Sequence, residues 1–139
     1  MKTLITKLSC AGIAAALATT SAGAFFLERE SDRAKEMLSQ YERTGETVSC
    51  LSLRRVDDTD AVDDFTLLVE ARGGDLYLNE LNGRCIGLER EQRYVRKSTQ
   101  AQMCRGDIIQ VVDNSGISFG SCGLGEFEKL SKIETPVSQ

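Results

Sequence analysis

The 139-residue chain contains no histidine and no tryptophan, and its only proline, Pro136, stands near the C-terminus. Histidine is the side chain whose ordinary pKa lies nearest neutrality, so its absence removes Ser-His-Asp and Cys-His catalysis together with histidine-ligated zinc. Any reaction would fall to carboxylates, lysine, tyrosine or serine. The lack of tryptophan leaves Tyr41, Tyr77 and Tyr94 as the tyrosine platforms on which a sugar ring could stack. No two cysteines stand in a C-x₂-C spacing, which argues against a zinc ribbon. The longest apolar stretch, Leu8 to Ala18, covers eleven residues. A membrane-spanning helix needs roughly 20.

That short apolar stretch follows Lys2 and Lys7 and precedes the small triplet Ala22, Gly23, Ala24. Charge, apolar core and A-x-A site in this order read as a secretory signal peptide over residues 1–24, cleaved after Ala24 and carrying Cys10 away with it. The 115 residues that remain suit one domain. Without Lys2 and Lys7 they hold 15 basic against 21 acidic residues, a formal balance of −6. Such acidity argues against nucleic acid as a partner, and the mature chain contains no membrane span.

From Leu27 to about Glu42, Ala34, Met37, Leu38 and Tyr41 recur at i, i+3, i+4 and i+7, which predicts an amphipathic helix within residues 25–45, ended near Gly45. Its mixed charges point to docking on the domain's own core rather than on a membrane surface. Beyond Gly45 the texture changes to short runs rich in β-branched, leucine and aromatic residues. Strands are predicted at Thr47 to Val56, Phe65 to Ala71, Asp75 to Leu81, Gln92 to Lys97, Asp107 to Val112 and Ile117 to Phe119. Arg72-Gly73-Gly74-Asp75 and Asp113-Asn114-Ser115-Gly116 read as hairpin turns. The expected fold is mainly β: a small antiparallel barrel or sandwich of about six short strands over residues 46–130, with one N-terminal helix packed on it and a tail at 131–139.

Cys50, Cys85, Cys104 and Cys122 remain after cleavage, an even number in an exported chain, and read as two disulfides. Four cysteines allow three connectivities. We favour Cys85 with Cys104 and Cys50 with Cys122, the second tying the first strand to the last; Cys50 with Cys85 and Cys104 with Cys122 is the competing arrangement. Around the last cysteine the sequence GSCGLGEF packs Gly120, Gly123 and Gly125 into a few positions. The order is not that of a dinucleotide fingerprint and no lysine-serine pair follows as in a P-loop, so these glycines read as turn-formers flanking a crosslinked cysteine.

The run DDTDAVDD places Asp57, Asp58, Asp60, Asp63 and Asp64 close together. Calcium takes oxygen ligands from such stretches, but the EF-hand order and its closing glutamate are missing, and Arg54 and Arg55 stand upstream as counterions. A solvated turn between two strands is the plainer expectation. No cofactor motif occurs.

The ordered words Cys50, Asp63-Asp64-Phe65-Thr66, Tyr77-Leu78-Asn79-Glu80-Leu81, Cys85-Ile86-Gly87-Leu88, Cys104-Arg105-Gly106-Asp107-Ile108-Ile109 and Cys122-Gly123-Leu124-Gly125-Glu126-Phe127 resemble a family of small exported Gram-negative bacterial proteins classed as a domain of unknown function. The resemblance implies export, a four-cysteine framework and a single domain, and brings no activity. The functional expectation is a non-catalytic periplasmic or secreted module that binds an envelope component such as a protein. The alternatives are a carboxylate-dependent envelope hydrolase and a calcium-binding module.

Overall fold

In the computed structural model, residues 29–134 are described, and the expected signal peptide lies outside them. The chain is mainly β. Helix α1 (Arg29–Leu38) leads into β1 (Tyr41–Val48), β2 (Cys50–Ser52), β3 (Val56–Asp63), β4 (Thr66–Ala71) and β5 (Asp75–Glu80). There follow the one-turn helix α2 (Leu88–Glu91), β6 (Tyr94–Arg96), β7 (Gln102–Cys104), β8 (Ile108–Val112), β9 (Ser118–Gly123) and β10 (Phe127–Lys132). Ten strands thus replace the expected six among the described residues. They form a five-stranded antiparallel sheet ordered β1-β10-β5-β4-β3, a three-stranded sheet β6-β8-β9 and a two-stranded ribbon β2-β7.

The five-stranded sheet is covered on both faces, which explains why β4 reads TLLVEA and β5 DLYLNE without clean alternation. On one face Val62, Leu68, Leu76, Leu78 and Leu130 pack against Ala34 of α1, with Met37, Leu38 and Tyr41 alongside. On the other, Ala61, Leu67, Val69, Tyr77 and Phe127 meet Ile109, Val111 and Cys122 of the three-stranded sheet, Met103 of the ribbon and Leu88 of α2. The apolar face of α1 is the predicted one, but the helix stops at Leu38. Tyr41 keeps its place in the core as the first residue of a strand, and Gly45 ends no helix: at φ 76° it sits in β1, where the register with β10 shifts between Arg43 and Thr47.

Both hairpins fall where Gly73-Gly74 and Asp113 to Gly116 placed them. The single strand expected over Thr47 to Val56 is instead broken into pieces, because the chain changes partner: β1 lies on β10, β2 on β7 and β3 on β4. The acidic run is the second correction. Residues 57–63 are not a turn but the body of β3, paired with β4 along its length.

Both favoured disulfide pairings are overturned. Cys50 bonds to Cys104 and Cys85 to Cys122, the third connectivity. Cys50 and Cys104 stand directly opposite each other in the β2-β7 ribbon, with Cα atoms 4.0 Å apart, so strand register decides the first bond. The second joins the loop after β5 to β9 across 5.4 Å, with Cys85 and Cys122 both buried in the core.

The outer strand β3 is closed by a side chain. Gln92 accepts a hydrogen bond from the Ala61 N–H at 2.8 Å and donates to the Ala61 carbonyl at 2.8 Å, as a neighbouring strand would, and donates also to the Glu89 carbonyl. Its backbone takes φ 50°, the one positive value among the described residues other than glycine. Gln92→Ala leaves both polar groups of a buried residue unpaired and is expected to cost about 2 kcal/mol in urea unfolding, with unchanged m-value.

Candidate functional site

At one end of the five-stranded sheet β1, β5 and β10 border a cleft of about 430 Å³ lined by Arg43, Thr47, Leu78, Glu80, Asn82, Arg105, Glu126 and Glu128, among others. Alternation builds its floor. Leu78 and Glu80 of β5 project to the same face, as do Glu128 and Leu130 of β10, and Glu128 stands opposite Leu78 in the register. Leu76, Leu78 and Leu130 are covered within the α1-side cluster, while Glu80 at the end of β5 is exposed.

Arg43 organises the charges. Its Nε donates to Glu128 Oε2 at 2.7 Å and one terminal nitrogen donates to Glu80 Oε1 at 2.9 Å, while the other terminal nitrogen pairs with Glu128. Glu128 Oε1 also accepts the Gly45 N–H at 2.9 Å. The bulge in β1 is what swings that N–H toward the carboxylate. Across the cleft Arg105 pairs with Glu126 at 3.0 Å. The Arg43 guanidinium holds the Glu128 carboxyl below its ordinary pKa, aided by the Gly45 N–H, and the two carboxylates in turn push Arg43 up.

Because the folded-state pKa of Glu128 is lowered, its contribution to stability is complete above the unfolded carboxyl value, about 4.3, and is lost as pH falls through the folded value. Arg43 is half exposed, so water screens the pair and the contribution is about 1 kcal/mol. Glu128→Gln should lower the neutral-pH melting temperature and flatten its fall on acidification, a difference that thermal unfolding between pH 7 and 3 measures.

The rim beside the cleft is fixed by two asparagines. Asn79, fully buried, accepts the Gly125 N–H at 3.0 Å and donates to the Gly125 carbonyl at 2.9 Å and the Glu126 carbonyl at 3.3 Å. Asn82 donates through its side chain to the Leu124 carbonyl and through its backbone to the Gly123 carbonyl. This clamp corrects the reading of GSCGLGEF. Gly120 and Gly123 lie within β9 rather than at turns, and Gly125 allows the backbone to pass against Glu80.

The acidic candidates do not converge on one point. Asp57 pairs with Arg72, Asp58 accepts the Thr59 N–H, and Asp60 lies 4.0 Å from Arg33, which also reaches Glu70. Asp63 accepts the Phe65 N–H, and Asp64 holds Arg84 and the Glu89 N–H. Among the described residues no group of three Asp, Glu, Cys or His side chains is placed to hold a metal ion.

The sequence alone shows none of the cleft's ion pairs. Arg43 falls within the stretch predicted as helix, and its partners Glu80 and Glu128 lie 37 and 85 residues away. The words around Leu78 to Leu81 and Cys122 to Phe127 did contain Asn79, Glu80, Gly125 and Glu126, without a sign that they meet. Comparison with family models, curated proteins and solved structures finds no match for this chain.

Proposed function

We propose that the protein is an exported, non-catalytic binding module that takes an envelope component in the Arg43–Arg105 cleft, outside the cytoplasm and after removal of residues 1–24. The observation that carries this reading is the state of the cleft's charges. Glu128, with an 11% exposed side chain, is held ionised by Arg43 and a backbone N–H, the reverse of the raised pKa that a general acid requires. Arg43, Arg105, Glu80 and Glu126 offer paired donors and acceptors at the cleft mouth, the arrangement of a recognition site. Two disulfides and the absence, among the described residues, of a helix long and apolar enough to cross a membrane fit an oxidising compartment. Export and the family resemblance belong to the same proposal.

A photo-crosslinking side chain at Thr47, inside the cleft, is expected to give a discrete adduct with native envelope material. The same group at Arg54, outside it, is expected to give none. The purified mature protein should leave peptidoglycan intact. Turnover abolished by Glu80→Gln or Glu126→Gln would replace the binding reading with a carboxylate-dependent hydrolase.

A further inference from the structure

The two larger sheets have four outer strands, and three are protected. Gln92 occupies the edge of β3 at Ala61, β9 is interrupted by a register shift opposite Val111 and Val112 and bonded by Asn82 at Gly123, and β1 is interrupted by its bulge and carries Glu42, Arg43 and Glu46. The edge of β6 is short, and its charges are all cationic, but no bulge interrupts it and no side chain among the described residues bonds to its backbone. In the pairing of β6 with β8 the Arg93 carbonyl accepts the Val112 N–H at 3.2 Å and the Lys97 N–H donates to the Ile108 carbonyl at 2.8 Å, with Val95 opposite Gln110 between them. The alternate residues, Tyr94 and Arg96, therefore turn their backbone N–H and C=O groups away from β8, and these groups find no partner among the described residues.

The side chains on this stretch are sorted in the same way. Tyr94 and Arg96 point inward, Tyr94 to the Thr59 hydroxyl and Arg96 to Asp107 and the carbonyls of Gln100 and Gln102. Arg93, Val95 and Lys97 are exposed, and neither Arg93 nor Lys97 has an ion pair among the described residues, in a chain with an excess of acid. Their neighbours on the outer face of β8 and β9, Ile108, Gln110 and Ser121, carry no charge. The result is an open strand edge flanked by two free cations, with an apolar position between them.

We propose that the β6 edge is a docking site for an extended acidic segment of a partner protein, which adds as a fourth strand to the β6-β8-β9 sheet. Four backbone hydrogen bonds to Tyr94 and Arg96 set its position. Carboxylates four residues apart reach Arg93 and Lys97, and an apolar residue midway covers Val95. A second copy of this chain fits poorly, because antiparallel pairing of two β6 strands about Val95 would set Arg93 of each against Lys97 of the other. The site adjoins β3, at the far side of the sheet from β1 and the Arg43 cleft, and does not depend on the function proposed for that cleft.

The probe is an end-blocked heptapeptide that alternates threonine with glutamate, valine and glutamate, added to the oxidised protein and followed by the amide NMR signals. Saturable shifts and slowed hydrogen exchange at Tyr94 and Arg96 are expected. Binding should weaken about tenfold when both glutamates become glutamine, and by a similar factor in the Arg93→Glu, Lys97→Glu double variant, whose altered residues are exposed and unpaired in the folded chain. Shifts confined to the Arg43 cleft, an unchanged affinity for the glutamine peptide, or no response of the Tyr94 and Arg96 amides at millimolar peptide would each overturn the proposal. Concentration-dependent dimerisation through β6 without peptide would replace the acidic partner with a second copy.

Discussion

Gly125→Ala is expected to cost about 4 kcal/mol, most of the stability of a small domain, while Gly120→Ala should change it by less than about 1 kcal/mol. A Cβ on Gly125 would lie 1.9 Å from the Glu80 carbonyl oxygen, which is backbone and cannot turn aside. The clash is relieved only by parting the Gly123–Glu126 segment from β5. That movement breaks the hydrogen bonds that Asn79 makes in a fully buried position, leaving its amide without water or partner. A Cβ on Gly120 meets nothing within 4 Å and the residue has no left-handed backbone, so the same chemical change is harmless there. Urea midpoints of the two variants separate the cases. A Gly125→Ala protein as stable as the parent would show that the close approach to Glu80 is not kept in solution.

The second large effect concerns the disulfides. Cys50–Cys104 and Cys85–Cys122 span 54 and 37 residues, for which loop closure predicts a similar stabilisation of about 4 kcal/mol each. Packing makes them unequal. Cys85 and Cys122 are 1% and 6% exposed within the core, whereas Cys50 is exposed on the ribbon. A mild thiol reductant should open Cys50–Cys104 in the folded protein, and alkylation with peptide mapping should then find label at Cys50 and Cys104 alone. The Cys85–Cys122 bond should resist until the domain unfolds. Accordingly the Cys85→Ala, Cys122→Ala double variant should lose more stability than Cys50→Ala, Cys104→Ala, since it also removes sulfur packed against the core. Simultaneous reduction of both bonds would contradict this order.

Local signals carried the elements whose information is local. The Gly73-Gly74 and Asp113–Gly116 hairpins were readable because a tight turn joins neighbouring runs, and the helix face because Ala34, Met37 and Leu38 recur at helical spacing. Strand β10 was missed: FEKLSK looks like a solvated segment, yet it lies between β1 and β5, where Glu128 is buried against an arginine 85 residues away. The disulfide pairing failed for the same reason. It follows from the register of β2 on β7, and neither strand exists as a stable unit apart from the other. Asp57 to Asp64 misled because its charges suggested solvent, while Ala61 and Val62 between them are buried in opposite core clusters.

The crossing of the two disulfides bears on how the molecule is made. Of Cys50, Cys85, Cys104 and Cys122 in chain order, the first pairs with the third and the second with the fourth. A chain threaded through a membrane N-terminus first presents Cys50 and Cys85 to an oxidising compartment while Cys104 is still behind. An oxidase acting on thiols as they emerge joins that consecutive pair, which is the wrong one. On the export proposed above, correct maturation of this chain depends either on holding Cys50 reduced until Cys104 arrives, or on an isomerase that exchanges the premature bond. Under the same proposal, cells lacking such an isomerase would accumulate the mispaired Cys50–Cys85 form.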